Sequence, residues 1–167
     1  DPLKASSLII EHVKDGVTMA MANNLPQPII EFIKTHHANG RTKYFYNTYV
    51  NQHPDEVIPD SKFRYEGPKP YTREQAILLM ADAVEAASRS IVFPSTGSNT
   101  HADVNELSNK LDKLVDDIVS KQLIDGLLSE ADISFSQVET VKDVFKSKLK
   151  TIYHTRISYP ELIKQQN

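Results

Sequence analysis

The sequence contains no cysteine, no tryptophan and only 5 glycines among 167 residues. The lack of cysteine excludes disulfides and thiolate metal sites, so any transition metal would be held by histidine nitrogens and carboxylate oxygens. No stretch approaches the roughly 18 uninterrupted apolar residues that a membrane-spanning helix needs. The formal net charge of −3 argues against a broad basic surface for long nucleic acid. With 40% apolar and 25% charged residues, the composition is typical of a soluble globular domain.

Apolar residues recur at helical spacing in six segments, which predicts an all-α fold. The predicted helices cover residues 6–22, 27–38, 41–50, 73–91, 103–122 and 134–154. We expect Ser6 or Ser7 to cap the first helix and Thr72 to cap the fourth, with Gly40 just beyond the end of the second. The proline-rich stretch 53–71 predicts a loop, and 93–103 predicts a flexible break. No segment alternates with period two for long enough to predict a strand.

Two of the 6 histidines, His36 and His37, are adjacent at the end of a short apolar stretch. Consecutive helix positions diverge by roughly 100°, so helix packing alone does not explain the pair. His12 and Asp82 also lie at the buried edges of their predicted helices, and Gly16 leaves space beside the His12 ring. A buried carboxylate is costly unless a charge or a metal compensates it. Three imidazoles and one carboxylate therefore form a candidate site for a divalent metal.

Simpler interpretations of the same residues stay open at this point. A single histidine at a helix edge is usually a hydrogen-bonded core residue, which would account for His12. His36 and His37 would also interact favourably with the dipole at a helix C-terminus. Asp82 would find a partner in Arg73 or Arg89 on its own helix. Spacing alone does not choose between these interpretations and a metal site.

Five segments in succession resemble one known family: "LIIEHVKDGVTMA", "NLPQPIIEFIKTHH", "KYFY", "FRYEGPKPYTREQAILLMADAVEAASRS" and "IYHTRISYP". They are similar to the HD-superfamily phosphodiesterase domain of the PgpH type, the cytoplasmic part of bacterial receptors with seven membrane helices. The resemblance covers roughly residues 6–160 in order. It implies an HD-domain-like helical bundle that hydrolyses cyclic di-AMP to pApA with two divalent metal ions, iron or manganese.

The resemblance also implies roles for particular residues. His12, His36 and His37 match the three histidines that hold one metal ion, and Asp82 matches the aspartate that helps to hold the other. The proline-rich loop at 53–71 and the helix after it carry basic residues that would meet the cyclic dinucleotide. The candidate substrate-binding residues there are Arg64, Tyr65, Lys69, Arg73 and Arg89. A paired metal site of this kind stabilises in-line attack of hydroxide on phosphorus.

The sequence departs from the family pattern in two places. The family signature begins with an earlier histidine and a His-Asp doublet, and neither can be matched here. The stretch "HHANGR" also lacks the small, threonine-bearing residues expected after the pair. We therefore expect residues 1–167 to be the C-terminal portion of a cytoplasmic HD phosphodiesterase domain, truncated at its N-terminus. Its metal site would be partial or empty, and the fragment would be soluble and inactive by itself.

The resemblance places the full-length protein at the cytoplasmic side of the bacterial inner membrane, anchored through other regions. Two alternatives to a cyclic di-AMP phosphodiesterase remain. One is an HD-type hydrolase of a different nucleotide, because metal ligands alone do not select the base. The other is a non-catalytic helical sensory or interaction module that kept the fold and lost the chemistry.

Overall fold

The computed structural model of the chain describes residues 1–91 and 101–154. Its helices are α1 (Pro2–Ala22), α2 (Gln27–Thr35), α3 (Lys43–Gln52), α4 (Arg73–Ser88), α5 (His101–Ile124) and α6 (Phe135–His154), and a short 3-10 turn covers Asp60–Phe63. No strand occurs in these two ranges. One isolated antiparallel β-bridge there joins Arg41 to Arg64. The prediction of an all-α fold is confirmed. The predicted break at 93–103 lies mostly outside the described residues, as does the end of the "IYHTRISYP" segment.

The predicted start of the first helix is wrong. α1 begins at Pro2, and the Asp1 carboxylate caps it by accepting a hydrogen bond of 2.9 Å from the Leu3 N–H. Ser6 lies inside the helix and is fully buried, and its hydroxyl bonds the Thr42 hydroxyl at 2.7 Å. An acidic N-cap followed by proline explains the earlier start, since proline has a preset φ and needs no N–H partner in the first turn.

The second helix also ends earlier than predicted, at Thr35 instead of Ala38. Ala38 takes a left-handed conformation, with φ at +49°, so the helix cannot continue through the turn that holds the two histidines. This conformation costs a residue with a Cβ roughly 1–2 kcal/mol. The Ala38 side chain is buried among core residues of the later helices, and this burial offsets part of the cost.

The largest apolar core lies where α4, α5 and α6 pack together, and it includes Leu79, Met80, Leu111, Val115, Val119, Val138 and Leu149. α4 begins at the predicted cap, since Thr72 and Gln75 form a reciprocal capping box. The Tyr153 hydroxyl of α6 donates a hydrogen bond of 2.7 Å to the Ser88 carbonyl at the end of α4. These contacts fix α4, the helix that carries Asp82.

α1 packs against α2, α3 and the 3-10 turn, and α2 in turn contacts α4. Gly16 faces Ile33 of α2, where a Cβ would lie 3.1 Å from the Ile33 Cγ2 atom. Gly16 therefore permits close approach of α1 and α2, and the expectation that it opens space beside the His12 ring is corrected. The outer side of α1 leaves Leu8 and Met19 about two-thirds exposed, at 67% and 68%. Within the described ranges, none of the helices is both long enough and apolar enough to cross a membrane.

Candidate metal centre

Three imidazoles meet where α1 passes the C-terminal end of α2. His12 projects from the middle of α1, while His36 caps α2 and His37 follows it in the turn. The ring centroids of His12 lie 5.3 Å from His36 and 5.0 Å from His37, and those of the adjacent pair are 4.1 Å apart. One ligating nitrogen from each ring lies within 4.8 Å of the other two. The structure thus brings together the three histidines that the sequence singled out.

The protonation of two of these rings is fixed by backbone carbonyls. The Nδ1 atom of His12 contacts the Ile9 carbonyl oxygen, and Nδ1 of His36 lies 2.7 Å from the Ile33 carbonyl oxygen. Because a carbonyl oxygen only accepts hydrogen bonds, each Nδ1 must carry the proton. In the neutral rings, Nε2 then holds a free lone pair. This pattern, in which a backbone carbonyl orients the ring, is the usual one for histidines that bind metals.

The two Nε2 atoms of His12 and His36 face each other at 3.1 Å. Two neutral acceptors at this separation repel each other unless a proton or a cation lies beside both. Two nitrogens bound to one ion at about 2.1 Å, with an angle of about 90–110°, lie about 3.0–3.4 Å apart. The observed separation falls in that range. The donor set therefore fits a divalent ion of hard-to-borderline character, such as manganese, iron or zinc.

Asp82 completes the cluster from α4. Its Oδ2 atom lies 3.5 Å from Nδ1 of His37, and the carboxylate is 41% exposed. Burial, followed by the neighbouring His36 and His12, lowers the pKa of His37 to about 3. The imidazole is therefore neutral at pH 7, so its contact with Asp82 is not an ion pair. Burial raises the pKa of Asp82 above its ordinary value, which shows a carboxylate short of compensating charge.

Tyr65 covers His37 from the proline-rich loop. Its ring stacks on His37 with centroids 4.2 Å apart and an angle of 23° between the planes. It also meets His12 edge to face at 5.9 Å. Burial, together with the Asp82 charge, raises the pKa of Tyr65 to about 12, so the phenol stays protonated at neutral pH. Of the five candidate substrate-binding residues, Tyr65 is the one that contacts the histidines within the described part of the chain.

Two of the candidate cations are bonded elsewhere in the chain. Arg64 pairs with Asp60 through Nε and donates from Nη1 to the Asn39 carbonyl oxygen at 3.1 Å. Lys69 donates a hydrogen bond of 2.9 Å to the Ser129 hydroxyl after α5. These two side chains tie the loop to its surroundings, and neither contacts a histidine in the described ranges.

The other two cations lie on α4. Arg73 is exposed in the first turn and forms no hydrogen bond or ion pair within the described part of the chain. Arg89 caps the far end of α4 and pairs with Glu85 at 2.8 Å. The carboxylates of Glu85 and, more weakly, Asp82 raise the pKa of Arg89. Arg89 thus shares the electrostatic environment of Asp82 without bonding it.

The sequence interpretation missed the carbonyl groups of Ile9 and Ile33, which orient two of the rings. In both cases the carbonyl lies three residues before the histidine. This spacing is visible in the sequence, but only the side-chain rotamer decides whether the ring turns back along its own helix.

The chain is similar to two curated bacterial proteins. It is 34% identical over 160 residues to "Cyclic-di-AMP phosphodiesterase PgpH" of Listeria monocytogenes, covering 96% of this chain and 20% of that protein. It is 35% identical over 164 residues to the protein of the same name from Bacillus subtilis, covering 98% of this chain and 21% of that protein. The chain thus spans about a fifth of the length of these curated relatives. No family model matches it.

The chain is also similar in fold to a solved structure. The crystal structure of the L. monocytogenes PgpH HD domain in complex with cyclic-di-AMP matches with a TM-score of 0.79 at 34% identity. The match covers 95% of this chain and 68% of that one. The helical architecture and this match therefore define an HD-type domain. The chain belongs to the family of PgpH HD domains, as the resemblance of its motifs implied.

Proposed function

We propose that this chain is part of a metal-dependent phosphodiesterase that hydrolyses cyclic di-AMP to pApA. The observation that carries the proposal is the convergence of His12, His36 and His37 beside Asp82. Two relatives bear the name of cyclic-di-AMP phosphodiesterases, and the solved HD domain holds that dinucleotide. The finer parts of the proposal are the identity of the metal, the roles of individual residues and the membrane anchoring of the whole protein.

In this proposal the three imidazoles hold one divalent ion, iron or manganese, and Asp82 contributes to a second. When bound, such ions lower the pKa of a water molecule and stabilise charge on a transferring phosphate. The carbonyls of Ile9 and Ile33 hold two of the rings in the tautomer that leaves Nε2 free. His37 stays neutral because it is largely desolvated, so it offers a lone pair at physiological pH.

The dinucleotide would lie over Tyr65, along the end of the loop and α4. Tyr65 supplies an aromatic surface, and the cations proposed to meet the phosphates are Arg64, Lys69, Arg73 and Arg89. Arg73 is the most available of them, since it has no ion partner in the described ranges, whereas Arg64 and Lys69 would exchange their contacts with Asp60 and Ser129. We assign the full-length protein to the cytoplasmic side of the bacterial inner membrane, where cyclic dinucleotides are available to it.

The test uses the full-length protein, loaded with Mn²⁺ or Fe²⁺, and cyclic di-AMP as substrate. We expect pApA as the chromatographic product and loss of at least 100-fold in kcat/KM for His12→Gln, because a metal ligand is removed. The matched control is His53→Gln, since His53 caps α3 and stacks on Tyr49 away from the cluster.

Cyclic di-GMP and common nucleotides are assayed in parallel. Faster turnover of one of these would assign the chain to a hydrolase of another nucleotide. Absence of turnover with every substrate, in a protein that binds no Mn²⁺, would instead favour a non-catalytic helical module and contradict the proposal.

A further inference from the structure

His37 differs from the other two histidines in how its ring is held. His12 and His36 each donate from Nδ1 to a carbonyl of the preceding helical turn. His37 lies beyond the end of α2, and its Nδ1 faces Asp82 at 3.5 Å, which is too long for a strong hydrogen bond. Within the described ranges no carbonyl fixes this ring. We therefore attribute its orientation to ring contacts: His36 and Tyr65 lie closest, with centroids 4.1 and 4.2 Å away, and His12 meets it edge to face at 5.0 Å.

Tyr65 is itself held in place by backbone contacts to the turn that carries the histidines. The Thr42 N–H donates to the Phe63 carbonyl at 2.8 Å, and the Tyr65 N–H donates to the Gly40 carbonyl at 2.9 Å. The Phe63 side chain is fully buried and anchors the start of this segment. The backbone of Tyr65 is thus hydrogen-bonded three residues beyond His37, which places its ring against the His37 ring.

Gly67 extends this attachment to the end of α2. A Cβ at this position would overlap the Lys34 carbonyl oxygen and lie 3.0 Å from the Ala38 carbonyl oxygen. Only glycine therefore lets the loop pass so close to the residues on either side of the histidine pair. Loop residues 63–67 are held from both ends against the turn at 34–42, with the Tyr65 ring placed on His37.

We propose that Tyr65 is a positioning residue whose ring face holds the His37 imidazole in its metal-binding orientation. The proposal rests on the metal site of the proposed function and is distinct from contact between Tyr65 and substrate. It assigns the effect to the ring and not to the phenol, because the hydroxyl has no hydrogen bond within the described ranges. Groups that orient a metal-binding histidine typically contribute 10–100-fold to metal affinity.

The test measures Mn²⁺ affinity of the 167-residue chain from the electron paramagnetic resonance signal of free Mn²⁺. Tyr65→Phe keeps the ring and should bind Mn²⁺ within about twofold of the wild type. Tyr65→Leu removes the flat face and should bind about 10-fold more weakly. The matched control is Tyr44→Leu, because Tyr44 is 75% exposed, packs edge-on against Phe45 at 5.3 Å and makes no ring contact with the three histidines in the described ranges. This control should leave Mn²⁺ affinity unchanged.

A double-mutant cycle separates positioning from general loss of structure. In a His37→Gln background, Tyr65→Leu should weaken Mn²⁺ binding by less than about twofold further, since the ring it orients is gone. Circular dichroism checks that each variant folds, and Tyr65→Met replaces Tyr65→Leu if the latter does not.

Three results would overturn the inference. They are an unchanged affinity for Tyr65→Leu, an equal loss for Tyr65→Phe, or a full loss that persists in the His37→Gln background. A wild-type 167-residue chain whose Mn²⁺ binding His12→Gln does not weaken would also overturn this inference. Failure of the proposed function looks different, because it is judged on the full-length protein: that protein would then bind no Mn²⁺ and turn over no cyclic di-AMP.

Discussion

At the scale of single residues, the candidate site depends on where each imidazole proton lies. A carbonyl one turn earlier accepts a hydrogen bond from Nδ1–H in both His12 and His36, and their Nε2 atoms face each other at 3.1 Å. Two lone pairs at this separation repel each other unless a proton or a cation lies beside both. Neutral His37 and the half-buried Asp82 carboxylate add a third lone pair and a negative charge. The local chemistry thus suits a divalent cation.

Asp82→Asn tests the carboxylate at this scale. The substitution keeps the shape of the side chain and removes its charge, so we expect Mn²⁺ affinity of the 167-residue chain to fall about 10-fold. Isothermal titration calorimetry measures the affinity. Asp143→Asn is the control, because Asp143 is exposed on α6. Equal affinities for the Asp82 variant and the wild type would show that the carboxylate does not act on the ion.

At the scale of elements, the two halves of the chain are stabilised differently. α1 and α2 approach closely at Gly16, which brings His12 to His36, and the loop at 63–67 pairs with the turn after α2. α5 and α6 instead share an apolar core and a group of ion pairs. Asp116 of α5 contacts both Lys142 and Lys146 of α6 at 2.9 Å, and the Lys142 side chain is only 11% exposed.

Asp116→Asn should destabilise the chain by about 1–2 kcal/mol at pH 7, because it leaves the nearly buried Lys142 with one acidic partner fewer. Hydrogen bonds from Lys142 and Lys146 lower the pKa of Asp116 below 3.8. A lowered carboxyl pKa contributes stability above the ordinary value and loses it as the pH falls through the lowered value. The difference between wild type and variant should therefore shrink below pH 3.8. Urea unfolding at several pH values measures it.

The control for this substitution is Asp117→Asn. Asp117 is the next residue of α5, but it pairs with Lys113 on its own helix and its side chain is 63% exposed. We expect a change of less than about 0.5 kcal/mol. Equal losses for both variants at pH 7 would contradict the special role of the contact between α5 and α6.

At the scale of the whole molecule, the chain corresponds to a fifth of its curated relatives and about two-thirds of the solved HD domain. Its sequence contains the three histidines and the late aspartate but no His-Asp doublet. The family pattern assigns to that doublet the aspartate that bridges two metals. We therefore propose that the site in this chain suits one ion better than a bridged pair.

We therefore expect the purified 167-residue chain to lack enzyme-like turnover of cyclic di-AMP, even with added Mn²⁺ or Fe²⁺, since in this proposal a bridged metal pair stabilises both the attacking and the leaving oxygen. Anion-exchange chromatography of the reaction mixture would detect pApA. The His12→Gln chain, prepared identically, accounts for contaminating activity. Robust turnover by the wild-type chain alone would show that its own residues supply the bridging ligand.

Much of the fold followed from local sequence rules. Helical spacing of apolar residues located all six helices, and the Thr72–Gln75 capping box gave the start of α4. The helix ends were less predictable, because several neighbouring residues could begin or end each helix. Asp1 with Pro2 started α1 before either serine, and the buried Ala38 ended α2 before Gly40. The choice at Ala38 depends on core contacts made by residues distant in the sequence.

The candidate site, like the fold, was predictable from the sequence only in part. The sequence by itself determined which side chains can bind metal, because residue types and helix edges are local properties of His12, His36, His37 and Asp82. Only the tertiary structure decided that these side chains meet, that Tyr65 lies on His37, and that Arg64 and Lys69 bond elsewhere. The physical reason is that such contacts join residues separated by about 20 to 60 positions. Their geometry follows from how the helices pack, which no short stretch of sequence specifies.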